Sequence, residues 1–398
     1  MLSLAMLAQS PNALAEDYSH AAVGARIMLT GHVHQAIPDV AQRGYAEHWD
    51  CLNKYGEERG DQVFERAWRV REGFAGRIDS AADSIALAAS VHELFVRFLS
   101  VLPWSRRPRI ITVASEHPSL LRQLSCLAEA GIEVIAVPGE PAVDIVERIS
   151  VLIDDNTAAV CLGSVNRQTG LLVPGLDALL PVCQKWGAEL FVDAYQSVNV
   201  LPFSLRGDNL EQAFVAGGGA KYCQMGNGNC FMHVPPGRDF RPLVSGWFGS
   251  FDAVRDDSAA RPLAYGEGAK RFDGSTYDAL PHFRAGHVFD YFERRGLTPA
   301  FLHDINRHQL ALLAKTFHAC DFNRTVIQLT ADVEYMGAFL ALSSPVAAEL
   351  CARLRDIGVH TDYCGQWLRL GPAPYLSDEQ LTDAMIALQE VVEDCGAR

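Results

Sequence analysis

Four residues stand where the chain could do chemistry: a lysine in a glycine-rich turn, a carboxylate ending an apolar strand, and a serine and a histidine at strand-to-helix junctions. Lys221 lies in AFVAGGGAKYCQMGNGNCFMHV, with Gly217, Gly218, Gly219 and Ala220 before it and Gly226 and Gly228 after it. Small residues let a bulky ligand approach the backbone. A lysine with a depressed pKa in such a turn suits Schiff-base chemistry, although the same pattern also serves a purely structural turn. The glycines match neither the dinucleotide fingerprint nor the phosphate loop of nucleoside triphosphatases. Asp193 ends the run ELFVD and precedes Ala194, Tyr195 and Gln196. A carboxylate there faces the ligand crevice of an α/β sheet, where it can keep a ring nitrogen protonated or simply cap the turn. Ser90 follows the apolar run Ser84–Ala89 and opens VHELFVRFL, so it can cap a helix and offer backbone N–H groups to an anion. His117, in ASEHPSL, can stack on an aromatic ligand or face solvent from a loop.

These residues need a scaffold, and the hydrophobic pattern supplies one. Apolar runs at Ser84–Ala89, Arg109–Ala114, Ile132–Pro138, Ala158–Val165, Glu189–Asp193, Gln212–Ala216 and Asn229–Val234 alternate with stretches of helical spacing such as Ser119–Ala130 and Leu176–Trp186. That alternation predicts βαβ units and a mainly parallel sheet of about seven strands, with ligands at the carboxyl ends. The last two runs lie too close for a crossover helix, so one antiparallel strand is expected. After about residue 275 the texture becomes that of a smaller α+β unit. Helices are expected at Thr298–Cys320, Ser344–Ile357 and Ser377–Asp394, around strands Tyr335–Leu342 and Trp367–Leu370. The polar, His-rich residues 31–60 suit a segment lying over a cleft.

Composition narrows the classes. The 398 residues carry 34 Lys+Arg against 48 Asp+Glu, a formal charge of −14, which argues against binding a phosphate backbone. Ten cysteines occur without any C-x-x-C pair, so reduced thiols are expected rather than a metal site or disulfides. The opening MLSLAMLAQSPNALAED lacks a basic stretch before its short apolar run, and no run reaches the ~18 apolar residues of a membrane helix. The expectation is a cytoplasmic protein with neither a nucleic-acid nor a membrane partner.

The spacing strand, Asp193-x-x-Gln196, strand, Gly-rich-Lys221 resembles the class V aminotransferase-type enzymes, which bind pyridoxal 5′-phosphate (PLP) in the fold type I architecture. The likeness runs from roughly Gly31 to Leu376. SVNRQTG around Asn166, GWFG around Trp247 and WLRLGPAPYLSD around Arg369 are similar to segments of the kynureninase group.

The resemblance implies a seven-stranded, mostly parallel sheet flanked by helices and a smaller α+β C-terminal domain. Its divisions are an N-terminal segment over the cleft (1–45), a large PLP-binding domain (46–275) and a small domain (276–398). It further implies that Lys221 binds PLP covalently and moves the Cα proton, that Asp193 pairs with the ring nitrogen, and that Gln196 lies near the ring's phenolic oxygen. His117 would stack on the ring, and Ser90 with the Val91 amide would hold the phosphate. Thr276 would reach the phosphate of a neighbouring subunit, making a homodimer with shared sites. Asn166, Trp247 and Arg369 would meet an amino-acid substrate, Arg369 by a bidentate grip on its α-carboxylate. Read alone, Arg369 also suits a surface ion pair and Trp247 a buried core.

The implied reaction is kynureninase-like hydrolysis of a Cβ–Cγ bond, with transamination, epimerisation and β-elimination as alternatives on the same fold, and a silent scaffold as the non-enzymatic one. A cysteine desulfurase fits less well, because Cys351 falls in a helical run and Cys364 lies close to Arg369.

Overall fold

The computed structural model describes residues 2–54, 59–250 and 264–396. The parts of the 46–275 division at 55–58 and 251–263 therefore lie outside the described residues. Seven strands build the main sheet: β1 Ile85–Ala88, β2 Arg109–Val113, β3 Glu133–Val137, β4 Thr157–Gly163, β5 Glu189–Asp193, β6 Phe214–Gly218 and β7 Cys230–His233. Their order across the sheet is β1-β7-β6-β5-β4-β2-β3. All neighbours are parallel except β7, which runs antiparallel to both β1 and β6. This is the expected sheet with its single reversed strand. β4 is buried along its whole length, which explains why TAAVCLG is apolar throughout rather than alternating.

Helices cover both faces. One face carries Phe95, Phe98, Phe191, Phe214 and Phe272; the other carries Phe74, Phe231 and Phe289. Local signals set the helix ends. Ser90 caps Val91–Leu99 by accepting from the Glu93 N–H at 3.2 Å. His117 caps Pro118–Glu129, with proline at the first helical position. Leu176–Trp186 stops at Gly187, whose φ of 69° is left-handed.

The C-terminal part holds a four-stranded antiparallel sheet rather than the expected strand pair. It comprises β8 Gln328–Leu329, β9 Leu340–Ser343, β10 Asp362–Cys364 and β11 Trp367–Leu370, in the order β10-β11-β9-β8. The outer strands are only two and three residues long, too short for a period-2 pattern to reveal them. Residues 31–60 divide in two. Gly31 docks on the small sheet through its N–H to the Gly371 carbonyl at 2.7 Å. Gln42–Lys54 is instead a helix, packed with Arg59–Ile78 against a further helix, Leu280–Arg295. Among the described residues no helix is long and apolar enough to cross a membrane, and no three His, Cys, Asp or Glu side chains group to hold a metal ion. All ten cysteines are free thiols.

Candidate active site

The carboxyl ends of β1, β2, β4, β5 and β6 converge on a cavity of about 370 Å³. Ser90, Val91, His117, Asp193, Gln196 and Lys221 all line it, so six of the ten residues singled out in the sequence come together. Lys221 is carried just beyond β6, with its Nζ 4.9 Å from the centre of the Tyr195 ring. Burial pushes its amine down to about 8, opposed by the charge of Asp193 and helped by Arg369 and Arg167. Asp193 accepts from the Tyr195 N–H at 2.9 Å. Desolvation still raises its carboxyl, against that bond and the field of Lys221. Removal from water lowers the His117 imidazole, while Asp193 raises it. Gln196 spans the cavity edge, donating to the His32 carbonyl at 3.2 Å and accepting from the Tyr222 hydroxyl at 3.0 Å.

The glycines before Lys221 have a different cause from the one expected. A Cβ on Gly218 would stand 2.7 Å from the Tyr195 ring and 2.6 Å from Cys230 Sγ. At Gly217 it would meet the Phe231 ring at 2.9 Å. The space belongs to the protein's own aromatic side chains, not to a ligand approaching the backbone.

Residues 36–223 match the family model described as Aminotransferase class-V. Over that segment, somewhat under half of the chain, it is similar to the class-V aminotransferases. It is 25% identical to an uncharacterised aminotransferase of Bacillus subtilis (strain 168), over 63% of this chain and 64% of that protein. To a cysteine desulfurase of Rickettsia bellii it is 24% identical, over 63% of this chain and 58% of the relative. The chain thus spans less than two thirds of the length of either relative. Among solved structures, a cystine C–S lyase in complex with its product cysteine persulfide superposes with a TM-score of 0.81 at 16% identity, over 94% of this chain and 99% of that one. A cysteine desulfurase from Thermococcus onnurineus gives 0.77 at 16% identity, over 97% and 99%. These similarities establish the PLP fold type I architecture.

The cavity fits PLP on its own geometry. The start of the helix Val91–Leu99 opens into it and suits a phosphate. The Asp193 carboxylate can face a ring nitrogen, and Lys221 offers an amine close to neutrality.

The four remaining residues lie outside this wall. Asn166 shapes a turn, its Oδ1 accepting from the Gln168 N–H at 2.9 Å and its Nδ2 donating to the Gly139 carbonyl at 2.8 Å. Trp247 and Thr276 are joined at 3.3 Å and line a separate cavity of about 440 Å³ with Leu52, Phe64 and Tyr277. Arg369 is buried on β11 and engaged by Asp362.

Two charged wall residues were not foreseen. Arg167 follows Asn166, and Glu116 precedes His117. Burial pushes Glu116 up to about 8, even though its Oε1 accepts from the Gly163 N–H at 2.8 Å. Both stand beside a residue already chosen, at a strand end where side chains face the crevice, and that position was the available signal.

Proposed function

We propose that this chain is a PLP-dependent enzyme acting at the Cα of an amino acid. The observation that carries this reading is Lys221, an amine pushed down to about 8 and sharing one cavity with the Asp193 carboxylate. When bound, the cofactor supplies an electron sink for charge developing at Cα. Lys221 would hold it covalently. Its depressed pKa leaves part of the amine neutral near neutral pH, so Nζ can accept a proton from Cα and return it. Asp193 would keep a proton on the ring nitrogen by placing a negative charge beside it. Ser90 and Val91, at a helix N-terminus, offer the phosphate N–H groups and a favourable dipole. His117 would cover a ring face, and Gln196 fastens the N-terminal segment at the cavity edge.

The finer reaction has two readings. Kynureninase-like hydrolysis of Cβ–Cγ rests on the segment around Trp247. In that reading Trp247 and Thr276 serve the site of a second subunit, since both stand in a different cavity of their own chain. Elimination at Cβ is supported by the fold shared with a cystine C–S lyase and by the state of the wall thiol. Burial pushes Cys230 up to about 12, so it stays protonated and is unsuited to taking sulfur as a thiolate.

A homodimer is supported by one exposed aromatic face. Tyr45, Trp49 and Leu52 recur at helical spacing on Gln42–Lys54, with Phe64 and Trp68 on the following helix. A water-exposed patch of this kind marks an interaction surface.

The test is to incubate purified holoprotein with kynurenine, 3-hydroxykynurenine, alanine, serine, cysteine and cystine and identify the products by mass spectrometry. Alanine with an aromatic acid identifies hydrolysis; pyruvate from cysteine, cystine or serine identifies elimination. No conversion of any of them, by protein that holds PLP, favours the scaffold alternative.

A further inference from the structure

Tyr195 lines the cavity and touches both groups that define it. Its N–H donates to Asp193 Oδ1 at 2.9 Å, and its ring centre lies 4.9 Å from Lys221 Nζ. The side chain then runs along Gly218, where any Cβ would come within 2.7 Å of the ring. In the sheet register Gly218 pairs with Cys230, and Cys230 pairs in turn with Ala88 at the end of β1. Tyr195 Oη reaches Cys230 Sγ at 3.9 Å. The ring thus carries its hydroxyl from the end of β5 across β6 to β7, one strand short of β1. Beyond β1 stand Ser90 and the start of the helix Val91–Leu99, the end of the cavity suited to a phosphate.

The bonds of that hydroxyl leave its proton for a ligand. Its oxygen accepts from the Ala220 N–H at 3.4 Å and from Cys230 Sγ. Burial pushes Cys230 up to about 12, so the thiol keeps its proton and remains the donor of the pair. Burial also raises Tyr195 well above the usual phenol range, so it too stays protonated at neutral pH. A phenol that accepts twice, and donates to no group among the described residues, offers its O–H to whatever fills the cavity. Ser90 is the contrary case. Its Oγ accepts from the Glu93 N–H at 3.2 Å and donates to Glu93 Oε1 at 3.5 Å, so its hydroxyl is engaged with its own helix. An anion at this helix start needs a neutral donor from outside that turn, and Tyr195 is placed to give one.

We infer that the Tyr195 hydroxyl donates to the phosphate of the bound cofactor, tying the phosphate end of the cavity to the Asp193 strand through one side chain. This rests on the reading of the cavity as a PLP site. It places part of the preference for a phosphate ester over the free alcohol on a residue that belongs to neither the helix Val91–Leu99 nor the glycine-rich turn. It also gives Gly218 a purpose beyond packing, since the hydroxyl reaches this position only if β6 ends without a side chain.

The experiment titrates full-length apoprotein with PLP and with pyridoxal, which has the same ring and aldehyde but no phosphate. The absorbance change on attachment gives binding constants rather than turnover. Tyr195→Phe keeps the ring against Gly218 and Lys221 and removes only the hydroxyl. It is expected to weaken PLP about tenfold or more, as for a hydrogen bond to a charged group, and to change pyridoxal by less than about twofold. Inorganic phosphate should compete with PLP in wild type and correspondingly less well in the variant. Equal weakening of the two aldehydes would mean that the hydroxyl serves only the Ala220 N–H, and so the Lys221 turn. That result, unchanged PLP binding or undiminished competition by phosphate overturns the assignment while leaving the PLP site standing. A wild-type protein that attaches neither aldehyde overturns the reading of the cavity, and the assignment with it.

Discussion

Asp362 and Arg369 face one another across the antiparallel strands β10 and β11, and their side chains close an ion pair beside the stacked rings of His32 and Phe339. The pair joins the small sheet to the N-terminal segment and, through the Arg167 carbonyl, to the wall of the cavity. Burial opposes the charge on Asp362, but His32 and Arg369 outweigh it and hold the carboxyl down to about 2 from 3.8. A carboxyl depressed in the folded state adds stability above its unfolded pKa and loses it as pH falls through the folded one. Wild type should therefore exceed Asp362→Asn in unfolding free energy at pH 7, with the gap closing between pH 3.8 and about 2. Denaturant titrations at a series of pH values measure this; a gap independent of pH in that window would mean that Asp362 is not charged in the fold.

Lys221 sets the pH at which the cavity can bind its cofactor. The neutral amine is the nucleophile, so covalent attachment of PLP to apoprotein should rise with pH around a midpoint near 8, the value to which burial brings the amine. Asp193 raises that value, so Asp193→Asn should move the midpoint lower while leaving attachment intact. Turnover should nevertheless fall by several powers of ten, roughly 4 kcal/mol or more of transition-state stabilisation. Lys221→Ala should abolish attachment. Borohydride reduction and peptide mapping supply the readout, and a pyridoxyl group found on Lys185 or Lys270 would contradict the site.

How far the sequence reached depends on the kind of signal. The seven strands of the main sheet were legible because most are apolar runs followed by a turn into a helix; their order across the sheet was not. Ser90, His117 and Asp193 are at once the local stop signals and the cavity lining. Lys221 was found through glycines that in fact accommodate Tyr195 and Phe231. The partners of Arg369 were not legible, because the Asp362 pairing needs a three-residue edge strand with no pattern of its own. Nor was the place of Arg167 in the cavity wall, since that depends on the folded surroundings and not on residue type.

Glu116 offers a second pH test, of opposite sign. Burial is the largest influence and lifts its carboxyl from 4.5 to about 8. A raised folded pKa contributes stability that is complete below the unfolded value and lost as pH rises through the folded one. Wild type should therefore lose stability relative to Glu116→Gln between pH 4.5 and about 8. The amide keeps an oxygen for the Gly163 N–H, so the substitution isolates the charge. Parallel stability profiles for the two proteins across that range would show that Glu116 ionises freely.

Gly44 marks a helix crossing that no periodicity announced. It lies near the start of the helix Gln42–Lys54, where a Cβ would come within 2.6 Å of the Arg284 N and Cα. Alanine favours a helix by about 1 kcal/mol over glycine, but these neighbours are backbone atoms of a packed helix and cannot swing aside. The steric cost should prevail, with Gly44→Ala net destabilising by about 1–3 kcal/mol. Gly76→Ala, where nothing lies within 4 Å of the new Cβ, is the control and should stabilise or be neutral. Equal effects at the two positions would remove the crossing as the cause.

The aromatic face carries the proposal about assembly. Trp49 is 69% exposed, and Tyr45 and Leu52 flank it at helical spacing on the same face. Leaving an indole of that size in water forgoes on the order of 2 kcal/mol of burial. A second copy of this chain covering the face would recover that free energy, and would bring Trp247 and Thr276, in the adjoining cavity, into a shared interface. Trp49→Glu should therefore convert a dimer into a monomer in sedimentation velocity without altering the far-ultraviolet circular dichroism. If Thr276 then serves only the neighbour's cavity, the monomer should retain Lys221 as its site of PLP attachment but hold the cofactor more weakly and lose turnover. A wild-type protein that sediments as a monomer, or a Trp49→Glu dimer as stable as wild type, would place the subunit contact elsewhere or nowhere.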